Sequence, residues 1–132
     1  MLRVLTYHRV AELDDQNLLN PRLVSATPAT FDRQMRHLVK HCQVVSIEDV
    51  LKAMEKRTPL PRRAVLITFD DAYADFKRAA WHILRRYQLP VTLFVPTAYP
   101  ANPTGGFWWD RLYRSIIFAS RPSLEMRPFG LL

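Results

Sequence analysis

Ala64-Val65-Leu66-Ile67-Thr68-Phe69-Asp70-Asp71-Ala72-Tyr73 is a run of apolar and β-branched residues that ends in two carboxylates. The first six positions show no polar alternation. A strand of that kind is buried on both faces, as strands of parallel sheets are. Downstream, Phe76, Ala80, Ile83, Leu84 and Tyr87 fall on one face of a helix from about Tyr73 to Gln88. Lys77, Arg78, Arg85 and Arg86 face water, and Leu89-Pro90 ends the helix. Val91-Thr92-Leu93-Phe94-Val95 reads as the next strand. Strand, helix and strand of these lengths make a βαβ unit.

Upstream, Leu2 to Tyr7 reads as a buried strand that ends at His8-Arg9, and residues 10 to 26 as a long loop. Thr27-Pro28 is a helix start, with threonine as N-cap and proline in the first turn. Phe31, Met35, Leu38, Val39 and Cys42 share one face of that helix. Val44-Val45 is a very short strand. Ser46 to Asp49 carries the pattern of a capping box, and Ile47, Val50, Leu51 and Met54 line the next helix. Residues 58 to 63 are a turn with Pro59 and Pro61, and residues 97 to 107 a loop. Trp108-Trp109-Asp110 opens a last helix to about Ala119. The class is α/β with a parallel sheet. Three or four strands leave an open edge, and a closed barrel of this type takes about 250 residues. The chain has 132.

Composition narrows the chemistry. With 48% apolar and 23% charged residues the chain is neither disordered nor fibrous. Three glycines leave no G-x-x-x-x-G-K-[ST] and no G-x-G-x-x-G, which argues against phosphate-loop and dinucleotide binding. The net charge of +7 is spread along the chain, as on solvated helix faces, rather than gathered into a block. A basic nucleic-acid-binding module rests on that charge alone, and no nucleic-acid motif accompanies it. The single cysteine, Cys42, permits neither an internal disulfide nor a CxxC metal site. No apolar run is long enough for a transmembrane helix and the first residues do not form a signal peptide, so the default expectation is a cytoplasmic protein or one whose leader is absent from this chain.

Asp70 and Asp71 stand where a buried strand leaves the sheet, the end at which α/β folds bind ligands. Adjacent residues leaving a strand point in different directions, so one carboxylate can hold a cation while the other takes a proton from water. That pair suits metal-assisted hydrolysis. A Walker B reading lacks its Walker A partner, and a D-x-D phosphoryl-transfer site has other spacing. A purely structural alternative stays open: two carboxylates that favour the N-terminus of the helix after them.

Thr68-Phe69-Asp70-Asp71-Ala72-Tyr73 resembles the T-F-D-D-G-Y motif of the polysaccharide deacetylases, the NodB-homology group of carbohydrate esterases. Leu5-Thr6-Tyr7-His8-Arg9-Val10 is similar to the family's first-strand Y-H-x-V. Thr27-Pro28-Ala29-Thr30-Phe31 through Leu38, Val45-Ser46-Ile47-Glu48-Asp49, Leu89-Pro90-Val91-Thr92-Leu93-Phe94-Val95 and Trp108-Trp109-Asp110 follow the family's order. The likeness runs from about residue 2 to 118.

The resemblance implies a partial (β/α) barrel of the NodB type, distorted and TIM-like, with residues 1–132 as the N-terminal part of a single domain. It implies metal-dependent removal of N-acetyl groups from amino-sugar polymers, a hydrolysis of carbon–nitrogen bonds other than peptide bonds. By the resemblance Asp70 is the catalytic base and Asp71 the ligand of a divalent metal, zinc first. His8, at the end of the first strand, and Trp108, after the loop, are candidate substrate-binding residues, each with a structural alternative in strand-end capping or helix packing. The implied partner is an N-acetylated glycan.

The sequence departs from the family after the third or fourth strand. No H-[ST]-x-x-H follows Asp71, and the four histidines are His8, His37, His41 and His82. His37 and His41 have the spacing of two ligands on a helix face but precede the doublet, and read as solvated helix residues. The expectation is a chain inactive alone, whose metal site a missing C-terminal half or a second chain completes. Ala72 replaces the usual glycine, at a cost of about 1 kcal/mol if φ there is positive.

Overall fold

The computed structural model describes residues 1–13, 19–99 and 106–120. Part of the loop expected over 97–107, and the tail from residue 121, lie outside the described residues. The elements are β1 (Arg3–Tyr7), β2 (Arg9–Val10), β3 (Val24–Ala26), α1 (Pro28–His41), β4 (Gln43–Val45), α2 (Ile47–Glu55), β5 (Ala64–Phe69), α3 (Trp81–Arg86), β6 (Thr92–Leu93) and α4 (Trp108–Ile117). A 3-10 turn, Pro21–Leu23, precedes β3, and a π-helical turn, Phe76–Ala80, runs into α3.

β5 is the middle of a parallel four-stranded sheet. β1 takes one edge along 65–69. β4 pairs with 64–66 and β6 with 68–69, so these two short strands share the other edge in series. All six residues of β5 are buried, as the unbroken apolar run requires. Thr68, its buried polar side chain, donates to Thr6 Oγ1 at 3.0 Å, so the hydroxyl is satisfied without breaking the core.

Helix α1 starts as its sequence predicts. Thr27 Oγ1 accepts from the Thr30 amide at 3.2 Å, and Pro28 occupies the first turn. Phe31, Met35 and Leu38 are buried against the sheet. Phe31 meets Tyr7 edge-on at 5.0 Å between ring centres and Phe69 at 5.7 Å. Ala80, Ile83 and Leu84 close the same core from the α3 side. The Ser46–Asp49 capping box of α2 is complete: Ser46 Oγ accepts from the Asp49 amide at 3.1 Å, and Asp49 Oδ2 accepts from the Ser46 amide at 3.0 Å.

Several expectations are corrected. β1 is an edge strand with Arg3, Val4 and Thr6 exposed, not a buried one, because only β5 pairs with it among the described residues. The region expected as a loop from 10 to 26 holds β3, which pairs in parallel with β2. The strand at 91–95 shortens to β6, since only the last two residues of β5 remain for it to pair with; Phe94 and Val95 stand exposed beyond it. Val39, Leu51 and Met54, placed on buried helix faces by their spacing, are exposed. The helix expected from Tyr73 starts at Ala74 and widens into the π turn at Phe76–Ala80, where the Phe76 ring lies 4.9 Å from Phe69. Arg57 and Gln88 take left-handed conformations just past α2 and α3, where glycine is the usual residue and this chain has few.

Candidate active site

Parallel pairing sets the ends of β1, β5 and β6 on one side of the sheet. The Asp70 amide donates to the Tyr7 carbonyl at 2.9 Å, and the Phe94 amide to the Phe69 carbonyl at 2.8 Å. The chain therefore leaves all three strands together. His8, next after β1, has Nε2 4.0 Å from Asp70 Oδ2. Both side chains are partly open to solvent, and the contact is an ion pair when the imidazole carries a proton.

The backbone then turns sharply. Asp71 has φ of 69° and Ala72 of 49°. Two successive left-handed residues are unusual outside glycine, although aspartate tolerates the region better than alanine does. The positive φ at Ala72 is the physical reason for glycine at this point of the motif. Ala72 therefore carries about 1 kcal/mol of strain at the site. The turn sends the two carboxylates apart. Asp70 faces His8, and Asp71 lines a cavity of about 200 Å³ with Ala72, Val95, Pro96, Tyr99 and Phe107. Burial pushes the Asp71 carboxyl above the usual carboxylate range; His8 opposes this, while the charges of Asp70 and Asp110 add to it. A carboxylate desolvated beside other carboxylates favours a proton or a cation.

Two arrangements that local sequence patterns did not single out brace this turn. The first is a clasp between Arg9 and Asp75. Arg9 Nε and a terminal guanidinium nitrogen each lie 2.7 Å from Asp75 Oδ2, and Asp75 Oδ1 accepts from the Val10 amide at 3.3 Å. Both side chains are largely buried, so the pair is charge-assisted and little screened. It ties the segment carrying His8 to the segment following the doublet. The second centres on Tyr73. Its hydroxyl donates to Asp110 Oδ2 at 2.9 Å and accepts from Trp109 Nε1 at 2.8 Å, while the Arg9 guanidinium lies 4.2 Å from its ring centre. Burial, chiefly, raises the Tyr73 pKa and keeps the phenol neutral. Arg9 and Asp75 are 66 positions apart, so no local pattern could reveal the pair.

The sequence-predicted residues separate into two groups. His8, Asp70 and Asp71 meet at the strand ends. Trp108 is 60% exposed and lies edge-on to Trp109 at 5.6 Å. Trp109 is the α4 ring that reaches Tyr73, and it stacks on Phe107 at 4.6 Å. His37, His41 and His82 belong to the outer helices. No group of three or more metal-ligating side chains comes together among the described residues. The donors near the doublet thus do not complete a zinc site, which takes three protein ligands and an open position.

Fold and site together define the class: a parallel sheet opening on a strand-end carboxylate doublet, as in a partial NodB-type barrel. Residues 57–114 match the family model for polysaccharide deacetylases. A poly-beta-1,6-N-acetyl-D-glucosamine N-deacetylase of Staphylococcus epidermidis is 31% identical over 102 residues, covering 70% of this chain and 35% of that protein. A Staphylococcus aureus protein of the same name is 28% identical over 107 residues, covering 72% and 36%. Among solved structures, IcaB from Ammonifex degensii superposes with a TM-score of 0.61 at 28% identity, over 71% of this chain and 37% of that one. The Streptococcus pyogenes deacetylase PplD, solved with acetate, gives 0.66 at 25% identity, over 80% and 47%. The chain is thus similar to polysaccharide deacetylases over part of their length, and it spans about a third of the length of the curated relatives it matches.

Proposed function

We propose that residues 1–132 form the N-terminal part of a single polysaccharide N-deacetylase domain and supply the base side of its site. The observation that carries this reading is the divergence of the doublet: the turn at Asp71 and Ala72 directs Asp71 into a cavity and leaves Asp70 beside His8. In this reading Asp70 accepts a proton from the water that attacks the acetamide carbon. The carbon–nitrogen bond then breaks, acetate leaves, and the sugar nitrogen takes up a proton. His8 and Trp108 meet the glycan. Asp71 is a ligand of a divalent metal, zinc by family resemblance, whose remaining ligands are not among the described residues. Poly-β-1,6-N-acetylglucosamine, the polymer in the names of the staphylococcal relatives, is the first substrate to test.

The shortage of ligands among the described residues supports a second statement: the 132-residue chain has no deacetylase activity alone. The test is acetate release from poly-β-1,6-N-acetylglucosamine. Two proteins are compared, the chain itself and a graft of residues 1–118 onto the remainder of the S. epidermidis relative. Release by the graft, lost by at least about a hundredfold in Asp70→Asn and in Asp71→Ala, supports the roles. Full activity in either variant overturns them, and release by the 132-residue chain overturns the second statement.

A further inference from the structure

We propose that His37 and His41 form a two-nitrogen chelating site for a borderline divalent transition-metal cation, Cu²⁺ before Ni²⁺ and Zn²⁺, on an exposed face of α1. The two residues are one helical turn apart, which brings their Cβ atoms to about 5–6 Å on a common face. That spacing alone fits any solvated histidine pair. The second observation is where the rings lie: their centres are 4.5 Å apart, tilted by 41°.

A metal–nitrogen bond of about 2.0 Å puts an imidazole centre about 3.2 Å from the ion. Two such rings held at a right angle are then about 4.5 Å apart, and at the tetrahedral angle about 5.2 Å. The observed separation meets the right-angle case, the geometry of tetragonal Cu²⁺ and Ni²⁺. Neither imidazole has a hydrogen-bond or ion-pair partner among the described residues, so a metal need displace only water.

The surroundings set the selectivity. His41 is the last residue of α1, where the helix dipole favours a cation. Arg33, Arg36 and Lys40 lie on the same helix and oppose it, and Arg63 donates to the His41 carbonyl at 3.4 Å. Asp32, the one carboxylate of α1, is engaged by Arg36 and Arg86. With the one carboxylate of α1 already engaged, hard cations such as Mg²⁺ and Ca²⁺ gain little here. Only ions with a strong preference for imidazole nitrogen bind, in the order Cu²⁺ above Ni²⁺ and Zn²⁺.

The test is titration of Cu²⁺ into the full 132-residue chain, followed by calorimetry and electron paramagnetic resonance. The expected result is one equivalent bound, with nitrogen hyperfine structure from two imidazoles. His37→Gln and His41→Gln each weaken binding by at least about tenfold, because the second nitrogen then no longer acts intramolecularly. His82→Gln leaves it unchanged. Unchanged affinity in His37→Gln or His41→Gln overturns the proposal. So does loss of binding in Asp71→Asn, which would move the ion to the strand-end doublet. Glutamine sustains helix well, so these variants keep α1.

Discussion

Helices α1 and α4 are both amphipathic, and they differ in what meets their apolar faces. In α1, Phe31 and Met35 are fully buried and Leu38 nearly so. In α4 no residue is buried, and Trp108, Leu112 and Ile116, which share one face, are at least half exposed. The described part of α4 that is engaged is its first turn, where Trp109 and Asp110 hold Tyr73. One helix therefore builds the core and the other braces the site. The two roles are separable by mutation.

The largest expected effect is on the α1 side. Phe31→Ala removes a ring packed on Tyr7 and Phe69 and lowers stability by about 3–5 kcal/mol. Leu112→Ala in α4 stays within about 0.5 kcal/mol, since that side chain has little to lose. Urea unfolding of both variants checks the contrast, and equal losses would break it. Next comes Asp75→Ala, which strands Arg9 in a largely buried position and costs about 3 kcal/mol; Asp75→Asn, which keeps the amide acceptor, loses less. Tyr73→Phe leaves Asp110 and the Trp109 indole without their shared partner, at about 1–2 kcal/mol. In the other direction, Ala72→Gly relieves the left-handed strain. It raises stability by about 1 kcal/mol, seen as a higher melting temperature.

The smallest effect tests the electrostatics of the doublet. Burial holds the Asp71 pKa above its unfolded value. The native state therefore keeps that proton more tightly. The stability this contributes is present below the ordinary carboxylate range and is lost as pH rises through the raised value. Asp71→Asn removes the charged, desolvated form. Its melting temperature exceeds that of the wild type at pH 7, and the two converge below the carboxylate range. A lower melting temperature for the variant at pH 7 contradicts the assignment.

What could be read from the sequence follows from how local the physics is. β5 announces itself because burial on both faces forbids polar positions, and the caps of α1 and α2 because their hydrogen bonds span three residues. The doublet was legible for the same reason: it directly continues a legible strand. The exposure of β1, Leu51 and Met54 was not, because periodicity reports which face is apolar and not whether anything covers it. The β2–β3 pair is too short to leave a pattern. The Arg9–Asp75 clasp joins the second strand to the segment after the fifth, and only the fold brings them together. Ala72 lies between these cases. The motif flagged the position, but the sign of φ had to come from the backbone.

The division of labour within the doublet is tested most directly by metal content. The graft of residues 1–118 onto the staphylococcal remainder, carrying His37→Gln and His41→Gln to silence the outer helix, is purified with Asp70→Asn or with Asp71→Ala. Asp70→Asn is expected to keep one equivalent of metal and lose acetate release, whereas Asp71→Ala loses both. An Asp71→Ala protein that still holds its metal would contradict the role given to the residue that lines the cavity.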